Sequence, residues 1–354
     1  MAWLLGDGFD FYSVTADAAV PGTVWDNTFT NPGAINSSIT RFGVGNSVAL
    51  ASTAIFASFA FANSTTIYVN FAFMPNTTVG SGNTALGGFF LTDGNPIAAN
   101  IQCGVFIRQS GEIMVVSNSA YNAIAVSPKL SAIAQNVWVH YQIKVVINNT
   151  TGSVEVRLNG NPTADYLVTG LNTRAATANN YCNHLYITNG TSLNSANVDD
   201  FYAFNDLGAA PNTWQGDVRA VQQMPSADNS VSWTPDTGTS RFPRVNEVRQ
   251  NGDTSYVSTS GIGNIDQYNV TPLAVTPLSI IAVQTKMVTR MDDAGPHQVK
   301  SRLTSGATAS DSATLTLSTN YQWLQQVYAV DPNTAAAWSA ANLNAVKIGP
   351  VDVL

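Results

Sequence analysis

Charge is scarce in this sequence. Only 10% of its 354 residues are Asp, Glu, Lys or Arg, against roughly 25% in an ordinary globular chain. Asn, Thr, Ser, Ala and Gly take the missing surface positions, so the protein is wetted by neutral amides and hydroxyls. Such groups lose less solvation than ions when a partner covers them. The remaining charge is negative, −7 at pH 7, and no Lys/Arg run occurs. That argues against a nucleic-acid partner, because neutralising phosphates needs clustered cations. Cys103 and Cys182 are the only cysteines. Two thiols are not a disulfide framework. Two buried free thiols are expected, with a single bridge in the first half as the alternative. No window approaches the roughly 18 apolar residues of a membrane helix, so no membrane insertion is expected. The start, Met1 to Asp7, lacks the basic residues and long apolar stretch of a secretory signal, which points to production in a cytoplasm.

What the sequence does have is strand signals. Ile67–Met74 is β-branched and aromatic and stops at Pro75-Asn76. Gly88–Thr92 stops at the turn cluster Asp93-Gly94-Asn95-Pro96. Val105–Arg108 and Ile113–Val116 flank Gln109-Ser110-Gly111-Glu112 and read as a hairpin. Trp138–Ile147 alternates aromatic or aliphatic with polar residues. Asn148 to Ser153 turns the chain, and Val154–Leu158 returns to a second turn at Asn159-Gly160. Val154, Val156 and Leu158 share one face while Glu155 and Arg157 share the other, as in an antiparallel sheet with one wet face. Leu185–Ile187 and Val198–Phe204 supply two later strands. Helical periodicity is weak: a turn or two over Ser127–Gln135, and a short helix within Asn333–Asn344 with Thr334 as N-cap.

Many short strands with frequent turns describe an all-β protein of two antiparallel β-sandwich domains. The boundary is expected at the turn-rich stretch from Asn205 to Gly216. This gives a first domain over 1–206, a linker over 207–215 and a second domain over 216–354. In the second, Ser279–Arg290 reads as a long strand with a buried start, followed by strands over Gln298–Leu303, Ser312–Leu317 and Gln322–Val330. Trp233, Tyr256 and Trp338 are its expected core anchors.

Two resemblances follow from particular residues. Gly6-Asp7-Gly8-Phe9-Asp10, Trp138 with the Tyr141–Val145 strand, the Gly152–Val156 hairpin with Asn159-Gly160, and Asn197-Val198-Asp199-Asp200-Phe201-Tyr202 make the first half resemble the concanavalin A-like (laminin-G-like) jelly roll. That identifies a scaffold, not an activity. Gly216–Arg219, Trp233-Thr234-Pro235, Val245-Asn246-Glu247, Asn251–Val257, Asp331–Thr334, Trp338 and Leu343-Asn344 make the second half similar to phage virion and tail-fibre-like proteins. This second resemblance implies a virion as the location and virion proteins of the capsid or tail as partners. It also implies a homo-oligomer, with a trimer as the first candidate because fibres commonly are trimeric.

The jelly-roll family includes glycan hydrolases, which use two nearby carboxylates, in the glucanase branch as Glu-x-Asp-x-x-Glu. Glu112, Glu155 and Glu247 are the only glutamates, and none has that context. Asp199 and Asp200 are adjacent, so they are expected to face opposite sides of a strand and not to form one site together. His140, His184 and His297 are the only histidines, with no zinc-ligand spacing; His140 reads as a packed or wet-face imidazole. There is no Gly-x-Ser-x-Gly elbow, and Gly261-Ile262-Gly263 lacks the third glycine and helix of a dinucleotide site. No catalytic residue and no cofactor are assigned. Asp93, Asp292 and Asp293 could donate oxygens to calcium, but the six to eight ligands calcium takes are not in view, and turn chemistry explains them better. Tyr12, Trp25, Tyr121 and Trp214 lie in loop-like segments and are candidates for stacking on sugar rings, with core or interface packing as the plainer reading. The expectation is a non-enzymatic phage structural protein on the particle exterior, a decoration protein or accessory head or tail fibre. The first alternative is a receptor-binding tail fibre whose lectin-like domain takes host surface glycans. The second is a glycan depolymerase.

Overall fold

The computed structural model describes residues 3–10, 35–36, 38–43, 45–50, 55–80, 82–95, 97–190, 196–207, 213–247 and 251–354. Two compact units divide between Ala220 and Val221.

The first unit runs β1 (Trp3–Asp7), β2 (Ile35–Asn36), β3 (Ser47–Ala49), β4 (Ile55–Ser64), β5 (Thr66–Pro75), β6 (Ala85–Thr92), β7 (Ile101–Arg108), β8 (Ile113–Val116), β9 (Ala123–Val126), β10 (Val139–Val146), β11 (Gly152–Leu158), β12 (Tyr166–Leu171), β13 (Cys182–Asn189) and β14 (Ala196–Asn205). One sheet has eight strands in the order β12-β11-β10-β5-β14-β3-β2, with β1 also on β14; the other has six, β4-β13-β6-β7-β8-β9. The chain crosses between sheets at β3 to β4, β4 to β5, β5 to β6, β9 to β10, β12 to β13 and β13 to β14, and every pairing is antiparallel. This is a jelly-roll sandwich.

Alternation decides which side chains fill it. Phe71, Phe73 and Tyr141 project from the eight-stranded sheet, and Phe71 meets Phe89 of β6 edge-on at 6.3 Å. Phe201 of β14 meets Phe59 of β4 at 6.3 Å. Cys103 and Cys182 are free and buried, and burial pushes the Cys103 thiol up to about 12. Strand β11 keeps the expected alternation of buried and half-buried residues. β14 is buried along its whole length and β5 along all but its first residue, so the middle of this sheet is covered on both sides rather than wet on one. Ser127–Gln135 contains turns and no helix.

The second unit runs β15 (Pro225–Ser230), β16 (Thr234–Pro235), β17 (Val257–Ser258), β18 (Gln267–Val270), β19 (Val283–Thr289), β20 (Gln298–Ser305), β21 (Thr308–Asp311), β22 (Leu315–Thr316), β23 (Gln322–Tyr328), helix α1 (Ala340–Asn344) and β24 (Lys347–Asp352). A six-stranded sheet, β15-β18-β24-β20-β21 with β22 on β20, accompanies two-stranded ladders β16-β17 and β19-β23. Val270, Leu303, Tyr328, Trp338, Leu343 and Val346 form its core. The Thr285 and Ser301 hydroxyls join β19 to β20 at 3.3 Å. Trp338 is buried and donates Nε1–H to the Tyr328 carbonyl at 3.0 Å. Tyr256, by contrast, is exposed. Ser279–Ala282 lies outside the strand and is half-buried to exposed, so the buried start expected there is not found. The helix begins later than its sequence suggests: Ser339, not Thr334, is its N-cap and accepts from the Asn342 N–H at 3.1 Å. Thr334 sits in a turn closed by the bridge between Asp331 and Ala336.

Candidate functional site

A group of ionisable side chains lies on the outer side of the eight-stranded sheet, where β14 breaks its regular pairing. The register with β5 slips between Asp199 and Tyr202, and Asp200 takes a left-handed φ of 47°. A bulge of this kind re-aims side chains. Asp199 and Asp200 therefore converge instead of facing apart. The Arg41 backbone N–H reaches Asp199 Oδ2 at 3.4 Å, while Arg41 Nη1 donates to Asp200 Oδ2 at 2.8 Å. Asp7 and Asp10 arrive from the end of β1; Asp7 Oδ1 accepts from the Phe9 N–H and Asp10 Oδ1 from the Asn46 N–H, at 2.9 and 2.8 Å. Burial, opposed by the Asn46 N–H, lifts the Asp10 carboxyl to about 6. Burial and then the adjacent Asp200 charge lift Asp199 to about 8. Asp200 is also raised by burial, against the pull of the Ala220 N–H and Arg41.

A segment after β14, described from Thr213 to Ala220, fastens onto the same side. Tyr202 donates its hydroxyl to the Gly216 carbonyl at 3.0 Å. The Gln142 side-chain oxygen, in the orientation that satisfies both ends of its amide, accepts from the Gln215 and Gly216 N–H groups at 3.1 and 2.9 Å. Arg41 pairs with Asp217 and also donates to the Val218 carbonyl at 3.3 Å. The Ala220 N–H donates to Asp200 Oδ1 at 2.8 Å. The guanidinium groups of Arg41 and Arg219 both lie over the Phe42 ring. Residues 216–220 thus belong to the first unit, not to a domain starting at 216, and the stretch around 213–215 is docked rather than a loose linker. Trp214 stands edge-on to Tyr68 at 5.4 Å with the Arg157 guanidinium 4.3 Å over its ring. It packs with Tyr68, Tyr202, Phe204 and Trp3. That cluster supplies the outer cover that the sequence pattern left wet.

Beneath this cover His140 is fully buried and stacked on Tyr202 at 5.9 Å. Neither ring nitrogen has a hydrogen-bond partner among the described residues, and burial pulls the imidazole down to about 4. It is therefore neutral and packed at pH 7.

The six-stranded sheet is chemically different. Its strands contain no Asp and no Glu. The register places Phe90 beside Tyr186 and Gly104, and Phe106 beside Gly88 and Met114. These residues form an aromatic layer on the outer face. Tyr121 caps it, 5.9 Å from Phe90 and 4.9 Å from Phe106, with its hydroxyl donating to the Asn189 carbonyl at 3.3 Å. At one end of this sheet a rim of amides gathers around Asp93. Asp93 Oδ2 accepts from Thr177 Oγ1 at 2.7 Å and Asn179 Nδ2 at 2.8 Å. Asn183 Nδ2 bonds Asn63 Oδ1 at 3.1 Å, and Gln102 Nε2 donates to Thr177 Oγ1 and to the Asn179 and Tyr181 carbonyls. Donor hydrogens, not open coordination positions, therefore surround Asp93. Glu112, at the opposite end, accepts from Arg108 and Ser110 at 2.8 and 2.7 Å.

Of the other residues singled out in the sequence, Asp293 is exposed and pairs with His297 at 2.8 Å. Asp292 lies beside it in the same exposed turn. Tyr12 and Trp25 lie outside the described residues. Among the described residues no group of three or more His, Cys, Asp or Glu side chains is arranged to hold a metal ion, and no helix is long and apolar enough to cross a membrane. The cluster at Asp199 was missed because strand periodicity was applied across a bulge. The sole local hint was two adjacent acids in an apolar strand, a place where a carboxylate needs a dedicated partner.

No family model matches the chain, and no curated protein matches it. Solved structures resemble part of it. Lectin II from Ulex europaeus is 11% identical, covers 44% of this chain and 86% of its own, and has a TM-score of 0.32. Alginate lyase vAL-1 from Chlorella virus is 13% identical over 48% of this chain and 90% of its own, with a TM-score of 0.34. The endo-1,3-beta-glucanase from Streptomyces sioyaensis is 12% identical over 57% and 95%, also with a TM-score of 0.34. A lectin, a lyase and a glucanase are among them, so the likeness is one of fold alone.

Proposed function

We propose that this chain is a non-enzymatic structural protein on the outside of a bacteriophage particle, a decoration protein or accessory fibre that docks as a homo-oligomer. One observation carries the non-enzymatic part. The carboxylates that the fold brings together hold the chain: Asp200 takes Arg41 and the Ala220 N–H, Asp10 takes the Asn46 N–H, and Asp199 takes its neighbour's N–H at 2.7 Å. Asp199 and Asp200 are also buried, away from a polymeric substrate. The virion location is supported by the resemblance of residues 216–354 and by a weakly charged surface suited to lasting contact. Many copies on a symmetric particle would turn a modest contact into firm attachment. Immunogold labelling of purified particles with an antibody to residues 221–354 is expected to decorate their outer surface. Unlabelled particles from a lysate that contains the chain would refute this location.

The amide rim favours a second reading, attachment to host glycans. Asn63, Asn95 and Asn179 are exposed beside Asp93, and neutral donors and acceptors held by a hydrogen-bond network suit sugar hydroxyls. On a glycan array the full chain would then bind in a manner lost in Asn179→Ala, whereas silence across the array would rule this reading out.

A further inference from the structure

We infer that Thr213–Ala220 is a proton-linked clasp: it closes on the first unit when the Asp199–Asp200 pair holds one proton, and it loosens when that proton leaves.

The geometry supplies the reason. Five carboxylates face this site: Asp7 and Asp10 from the end of β1, Asp199 and Asp200 from the β14 bulge, and Asp217 from the clasp itself. Among the described residues the cations facing them are Arg41 and Arg219. His140, from β10, is neutral there, and β5 offers only Asn70 and Ala72 across the pairing. Acids therefore outnumber bases in a site where Asp199, Asp200 and the Arg41 side chain are nearly dry. Unbalanced charge of one sign is costly in such a place, and adjacent carboxylates answer it by sharing a proton. Asp200 is tied to the clasp directly, through the Ala220 N–H, and Arg41 bridges Asp200 to Asp217. A second full negative charge at Asp199 repels Asp217 and draws Arg41 towards the pair.

The direction follows from the same groups. Burial, then the Asp200 charge, holds Asp199 at about 8, above its ordinary 3.8. A group raised in the closed form favours closure at low pH, and that contribution is lost as pH rises through the closed-form value. The clasp is thus held at pH 6.5, loosens as pH rises towards 8, and is weakened no further by this group above it. Opening turns Thr213–Ala220 from a fastened segment into free chain.

The Arg219–Ala220 bond reports this, because trypsin needs Arg219 lifted off Phe42 and the Ala220 N–H released from Asp200. The full chain is digested briefly between pH 6.5 and pH 9. Cleavage at that bond is measured by mass spectrometry and normalised to a peptide of residues 216–222. We expect normalised cleavage to rise by up to about tenfold per pH unit between pH 6.5 and about pH 8, the limit for one linked proton, and to level off above it. In Asp199→Asn, which cannot ionise, it stays low and flat. A flat wild-type profile, or the same rise in the variant, overturns the proposal. A second readout needs no variant: the infrared band of a protonated carboxyl in the wild-type protein should vanish over the same pH range. Its absence at pH 6.5 equally overturns the proposal.

Discussion

Single buried groups decide much of the first unit's stability. Tyr141 is fully buried between Phe71 and Phe73, and its hydroxyl has no partner among the described residues. An unsatisfied buried hydroxyl costs about 1–3 kcal/mol. Tyr141→Phe keeps the ring and removes that cost, so denaturant unfolding should show a gain of about 1 kcal/mol. Arg41 is the opposite case. It is the buried cation that answers Asp200 and reaches three chain segments. Removing one member of a buried pair strands the other, at about 3–5 kcal/mol. Part of that is relieved here because Asp199, beside Asp200, already holds a proton at pH 7. Arg41→Ala should therefore lose about 3 kcal/mol in the same assay, far more than Arg302→Ala, whose partner Asp311 is half-exposed.

At the scale of elements, glycines set how closely the outer rings of the six-stranded sheet lie against it. A Cβ on Gly104 would come within 2.5 Å of Phe90 Cδ1 and 2.9 Å of Phe106 Cε2. Overpacking of this kind costs about 1–3 kcal/mol, so Gly104→Ala should lower the thermal midpoint, while alanine at Gly80, where nothing lies within 4 Å, should not. The strands themselves were legible wherever period-two patterning ran against a clear turn. Ile67–Met74, Trp138–Ile147 and Val154–Leu158 fall within a residue or two of β5, β10 and β11. The failures share a physical cause, which is that the deciding interaction was tertiary. Asp199 and Asp200 looked divergent because a bulge reverses the rule that adjacent residues face apart. Residues 213–215 read as part of a linker and 216–220 as the start of the second domain, because their hydrogen bonds go to the side chains of Gln142 on β10 and Tyr202 on β14, which no local pattern reveals. Trp214 takes the plainer of its two sequence readings, packing rather than display to sugars. In the second unit, the strand expected from Ser279 begins at Val283. The earlier residues carry β-branched apolar side chains but lack a pairing partner among the described residues, apart from Ile280 against Trp338.

For the molecule as a whole, these groups give the first unit an unusual pH profile. Asp10 and Asp199 are raised to about 6 and about 8, so each adds stability at low pH that fades as pH climbs from about 4 through those values. His140 is lowered to about 4; its contribution is present above about 6.5 and is lost as pH falls towards 4. Between pH 6.5 and pH 8 Asp199 dominates, and the unfolding midpoint should fall as pH rises. Most domains hold their maximum somewhere between pH 5 and 8; here it should lie on the acid side of neutral. The functional reading depends on the same carboxylates being occupied by the protein itself. Its most direct test is turnover: the full chain incubated with a panel of bacterial capsular and cell-wall polysaccharides, with release of reducing or unsaturated ends measured over time. No release above the protein-free blank is the expected result. Sustained release that Asp199→Asn or Asp200→Asn abolishes, while the variant still folds, would contradict it.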